Sequence, residues 1–194
     1  MPMQGVRLPR LRALAKRLAL ENGLSFLHRP LPRRAYFEEV MIAGMLPGYV
    51  HGSSLTERIT AIEKVLPQLN NWSLCDSCCT TYRFAAAARE ECYDWLRGHA
   101  LSQGEWTRRF GVVMLLMHYV PDAAWAARVA KLLPQVPAGG YYADMAVAWC
   151  ACEIALRHPD FAPALLAEGN LPANARRLSL RKLRESQRRN KPMI

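Results

Sequence analysis

A chain of 194 residues, 51% of them apolar, is long enough to bury one substantial core, which excludes a disordered chain and predicts a single domain over residues 1–194. It contains no stretch of eighteen or more apolar residues, and its opening MPMQGVRLPRLRALAKRL is too basic and too periodic for the apolar centre of a signal peptide, so neither a membrane span nor export is expected. Six cysteines without an export signal point to a reducing, cytoplasmic setting, and the formal charge of +10 points either to a polyanionic partner or to a solvated basic tail.

Apolar positions recur at helical spacing from the start, as in Leu11, Leu14, Ala15 and Leu18, and sustained two-residue alternation is missing, so the fold expected is all-α. Pro30 and Pro32 end the first segment, and EEVMIAGML follows before Pro47 and Gly48. A helix over Leu55 to Leu69 leads into NNWSLCDSCC and DSCCTTYRF, then one over Glu91 to His99 into RRFGVVMLL. Ala123 to Leu133 leads through Pro134 to Gly140 into ADMAVAWCA, and after Pro159 and Pro172 comes RRLSLRKLR.

Laid over one another, EEVMIAGML, DSCCTTYRF, RRFGVVMLL, ADMAVAWCA and RRLSLRKLR open near residues 39, 76, 109, 144 and 177, successive units being 33 to 37 residues apart. That is the period of a helix pair, and it predicts a solenoid of stacked antiparallel helix pairs whose second helices line one concave face, with the intervening helices outside. Equivalent inner-helix positions should then lie side by side.

Charge is concentrated at the end. From Arg176 to Lys191 eight basic residues face one acid, Glu185, while the remaining residues carry 18 basic against 15 acidic groups. Arg176, Arg177, Arg181, Lys182, Arg184 and Arg188 are therefore the candidate phosphate contacts, with a second basic cluster at Arg7, Arg10, Arg12, Lys16 and Arg17.

Three other places carry candidate chemistry. With Asn70 or Asn71 as cap, Trp72 and Asp76 fall four residues apart on one helix face, an indole beside a carboxylate. Spacing alone also fits a dipole-complementing aspartate and a core tryptophan. Arg108 and Arg109 open the next repeated helix ahead of an apolar run, where an arginine suits a phosphate or Asp76 and the other is expected in solvent. Trp149 stands among Ala146, Ala148 and Ala151, which permit close approach but equally suit core packing.

The strings QGVRLPRLRALAKRLA, NWSLCDSCC, WTRRFGVVMLLMHY, YYADMAVAWCACE and LRKLRESQRR resemble successive landmarks of the HEAT-like repeat alkylpurine DNA glycosylases over nearly the whole chain. In that family two tryptophans and an aspartate surround the deoxyribose of the lesion and an arginine engages the backbone. By motif these correspond to Trp72, Trp149, Asp76 and Arg109, and Arg108 joins the candidate DNA contacts. The resemblance implies release of cationic alkylated purines, 3-methyladenine and 7-methylguanine, from duplex DNA without swinging the base into a pocket. No cofactor, nucleotide or membrane is implied, and a monomer is expected. Relative to the family the chain starts late, without an opening helical segment before QGVR, so its first repeat is expected to be uncapped.

Competing readings fare less well. Cys75, Cys78 and Cys79 with Cys150 and Cys152 lack a second CxxC or a cysteine-to-histidine pair at finger-like spacing, no H-x-x-x-H pair occurs, and no phosphate-binding glycine loop is present. A non-catalytic HEAT-like protein that binds distorted or branched DNA needs only the basic stripe and stays open as the alternative. A protein-binding scaffold calls for an apolar or acidic groove, which the basic ends oppose.

Overall fold

The computed structural model describes residues 1–28, 31–32 and 34–186. Among them the regular elements are helices and none is a strand, as the spacing of apolar residues predicts. They gather into two compact units, one over Met1–Ala87 and one from Ala88 onward.

The first unit holds α1 (Leu8–Asn22), α2 (Phe37–Met45), α3 (Leu55–Val65), α4 (Trp72–Cys79) and the single turn α5 (Phe84–Ala87). Proline in the first turn of α1 costs no hydrogen bond, and the helix buries Leu11, Ala15 and Ala19, spaced four apart, alongside α2. α2 is buried from Val40 to Met45 and packs against α1, α3 and α4, so it forms the centre of this unit. Ser54 and Glu57 close a reciprocal capping box at the start of α3. Both α2 and α3 run into a 3-10 turn, Leu46–Gly48 and Leu66–Gln68, each with proline second. The predicted helix Leu55 to Leu69 therefore leaves α geometry after Val65, because the Pro67 ring removes a donor and crowds the preceding turn.

The segment before α1 is tied to α2. Phe37 N donates to Pro2 O at 2.8 Å, and the Glu38 carboxylate accepts from Gln4 N (3.0 Å), Gly5 N (2.8 Å) and Val6 N (3.2 Å). Gly5 takes φ 77°, the left-handed conformation that lets three successive amides turn toward one acceptor.

The second unit holds α6 (Arg89–Ala100), α7 (Glu105–His118), α8 (Ala123–Leu132), α9 (Tyr141–Arg157), the single turn α10 (Ala162–Leu165) and α11 (Ala173–Glu185). α7 is buried from Arg108 to Leu116, and α9 packs along both α7 and α11. These three helices carry RRFGVVMLL, ADMAVAWCA and RRLSLRKLR, so equivalent stretches are neighbours, as in a helix-pair repeat. α6 passes so close to Gly111 of α7 that a Cβ there would meet Leu96 O and His99 C at 2.8 Å.

One stretch departs from its expected form. The helix that opens DSCCTTYRF ends at Cys79, because the Thr80 and Thr81 hydroxyls donate back to Ser77 O (2.7 Å) and Cys78 O (2.8 Å) and compete with the helix.

Candidate nucleic-acid interface

In the first unit the site is built on α4. Asn71 is extended (φ −152°, ψ 160°) and its Oδ1 accepts from Leu74 N at 3.0 Å, which fixes the start of the helix at Trp72. Leu74, Cys75, Cys78 and Cys79 then fall on the buried face. Trp72 and Asp76 lie on the other: Trp72 is 56% exposed and Asp76 is half-buried. An exposed tryptophan is unusual for so large an apolar side chain and is not explained by core packing.

The buried face of α4 is held against α2. A side chain at Gly44 would run into Cys78 Sγ, the Tyr82 hydroxyl donates to Gly44 O, and Thr81 Oγ1 reaches Met45 O at 3.3 Å. Burial pushes the Cys78 and Cys79 thiols well up, with neighbouring thiols and Asp76 adding to the effect. Thiols so placed stay protonated and serve as packing, not as nucleophiles or ligands.

In the second unit Arg108 and Arg109 are both buried, 3% and 6% exposed, so neither is in solvent as the sequence reading expected of one. The Arg108 guanidinium donates to Gly139 O through Nη2. Arg109 Nη1 donates to Tyr142 O at 2.7 Å. Glu105, one turn earlier on α7, accepts from Tyr142 N at 2.7 Å, and Gly140 (φ 83°) lies against its carboxyl group. Asp144 accepts from Gly139 N at 3.3 Å and from Asn174 Nδ2 at 2.7 Å. Polar ties thus run from α7 to the start of α9 and on to the start of α11. Trp149 stands half-buried two turns along α9 from Tyr142, on the same side by helical spacing. Trp106 stacks on Tyr142 with ring centres 4.8 Å apart, and Tyr141 is 62% exposed beside it.

The basic run forms α11, which buries Ala175, Leu178 and Ser179 and leaves Arg177, Arg181 and Arg184 exposed at spacings of four and three. Arg177 donates to Asn174 Oδ1 (2.7 Å), Arg181 pairs with Glu185 (2.8 Å), Arg176 donates to Leu166 O (2.8 Å), and Lys182 is half-buried. Arg188 lies outside the described residues.

Thus Trp72 and Asp76 share one helix face in the first unit, while Arg108, Arg109, Trp149 and the α11 cations belong to the second. Sequence reasoning missed Glu105, Asp144 and Asn174. The signal available was an acid at the opening of two successive repeats, but its acceptor role depends on amides 5 to 37 residues away.

Among the described residues no helix is long and apolar enough to cross a membrane. No curated protein and no solved structure matched the chain. A family model described as DNA alkylation repair enzyme matches residues 1–186, nearly the whole chain, and the all-helical fold agrees with it, so the protein belongs to the DNA alkylation repair enzyme family.

Proposed function

We propose that the protein is a DNA N-glycosylase that releases cationic alkylated purines from duplex DNA, acting as a monomer in the cytoplasm without a cofactor. The observation that carries this reading is the pairing of an exposed Trp72 with a half-buried Asp76 on one face of a capped helix whose other face is fixed in the core.

The chemistry follows from the lesion's own charge. A 3-methyladenine or 7-methylguanine is already cationic, so its glycosidic bond is weak and its departure leaves an oxocarbenium-like sugar. Asp76 stabilises that cation and orients the attacking water, and the Trp72 face adds cation-to-ring attraction. A carboxylate ~4 Å from the developing charge supplies ~4 kcal/mol at an effective dielectric of ~20, or about a thousandfold in rate when realised in the transition state. Trp149 is assigned an aromatic face for the sugar and Arg109 a donor for the backbone, the parts that the family resemblance gives them. Arg177, Arg181 and Arg184, with Arg176, Lys182 and Arg188, neutralise phosphates. The burial of Arg108 on Gly139 O favours a role in holding the loop before α9.

A neutral purine leaves poorly unless it is protonated, and the five repeated stretches hold no histidine to act as an acid. Base release is therefore expected from duplexes carrying 7-methylguanine or 3-methyladenine, with hypoxanthine left largely in place. Efficient hypoxanthine release, or none from methylated DNA, would overturn the reading; the latter together with tight binding would favour a non-catalytic binder of distorted DNA.

A further inference from the structure

Two cations of α1, Arg12 and Lys16, and Arg83 of the turn after α4 lie around Thr80 and Tyr49, beyond the last turn of α4. Asp76 and Thr80 are four residues apart, so Thr80 continues the Trp72 and Asp76 stripe about 6 Å further along the helix. Arg12 of α1 reaches that end of the stripe, its Nη2 donating to Thr80 Oγ1 at 3.4 Å. One turn on, Lys16 places Nζ 5.4 Å from the centre of the Tyr49 ring. The same phenol is flanked by Arg12 and Arg83: burial pushes its pKa up, and the positive charges of Arg12 and Arg83 pull it back.

Two other basic residues nearby are engaged within the protein. Arg17 on the same helix has Glu21 at 3.8 Å, and Arg58 donates to Pro47 O at 2.9 Å. Among the described residues no carboxylate pairs with Arg12, Lys16 or Arg83, and Arg12 Nε is buried without an acceptor. Like charges gathered without a counter-charge suit an anion, and the Tyr49 phenol beside them adds a neutral donor.

We infer that Arg12, Lys16 and Arg83, with Arg12 positioned by Thr80, form a clamp for a DNA backbone phosphate next to the nucleotide on which Asp76 acts. The clamp rests on the reading of Asp76 given above. With an axial rise of ~3.4 Å per nucleotide on one strand, the ~6 Å offset places the clamped phosphate within about two nucleotides of the lesion. It binds the first unit to the backbone independently of the α11 stripe, and it fixes the register in which the lesion meets Asp76.

Binding of an undamaged duplex, followed by fluorescence anisotropy between 50 and 200 mM salt, tests the clamp without any base release. Arg12→Gln/Arg83→Gln should lower the slope of log affinity against log salt by up to about one, the share of the one clamped phosphate, and Arg83→Gln alone by a measurable part of that. Arg12→Lys/Arg83→Lys should keep the slope. Arg83 is exposed, so its single variant reports even where the double variant does not fold. On a 7-methylguanine duplex, a neutral methylphosphonate within two nucleotides of the lesion should weaken wild-type binding severalfold and weaken the Arg83→Gln variant by less. An unchanged slope in folded Arg83→Gln, or an equal methylphosphonate effect in variant and wild type, would overturn the clamp. Loss of slope without release of 7-methylguanine by the wild type would refute the glycosylase reading and leave the phosphate contact standing.

Discussion

Glu38 concentrates much of the order at the start of the chain in one side chain. It is 6% exposed, and three successive backbone amides of residues 4 to 6 point at its carboxylate. Burial pushes its pKa up, but the amides outweigh it, so the folded value lies below the ordinary carboxylate range. A carboxylate with a depressed folded pKa contributes stability that is complete above its unfolded pKa and is lost as pH falls through the folded one. Glu38→Gln is expected to cost about 1–2 kcal/mol at neutral pH by urea denaturation, toward the low end because the three amides are exposed. The variant should also lose less stability than the wild type when the pH is taken below the carboxylate range. An equal acid response in both would mean that the strap does not depend on the charge. The tie was not legible in the sequence because Glu38 and its donors are 32 to 34 residues apart. The same holds for Arg108 and Arg109: their position at the head of an apolar helix was readable, but Gly139 and Tyr142, which receive them, lie 31 and 33 residues on.

At the scale of elements, α4 was the most legible part of the site, because its determinants are local. An asparagine cap sets the first residue, and the four-residue spacing of Trp72 and Asp76 puts both on one face whatever packs on the other. Its end was misread, since DSCCTTYRF looks like the other repeated stretches until the back-bonding of Thr80 and Thr81 is taken into account. The 3-10 turns at Leu46–Gly48, Leu66–Gln68 and Leu133–Gln135 share one cause, a proline in second place; Pro47 and Pro134 marked two of them as breaks, whereas the helix expected over Leu55 to Leu69 ran through Pro67. Asn71→Ala removes the cap acceptor and should cost about 1 kcal/mol in stability. Because the cap also fixes the entry of Trp72, base release should fall by more than the lost stability accounts for. Activity unchanged at equal folded fraction would show that the cap does not position the site.

At the scale of the whole molecule, the period of 33 to 37 residues located the helices that pack side by side, and clustered charge located α11. The division of helices between units was not readable, since the period runs through it without a change of spacing. The exposed arginine stripe of α11 leads to a bulk prediction: Arg181, Lys182 and Arg184 replaced together by alanine should lower the salt slope of duplex binding by about two to three and weaken binding alike for all sequences. An unchanged slope would reduce these residues to a solvated surface. The central claim is that the α4 carboxylate does chemistry and does not hold DNA. Single-turnover release of 7-methylguanine by Asp76→Asn, measured beside its duplex affinity, tests this most directly. The account predicts a loss of about a thousandfold in rate, from ~4 kcal/mol of transition-state stabilisation, with affinity equal to or better than wild type. Undiminished release, or a rate loss explained wholly by lost binding, would contradict it.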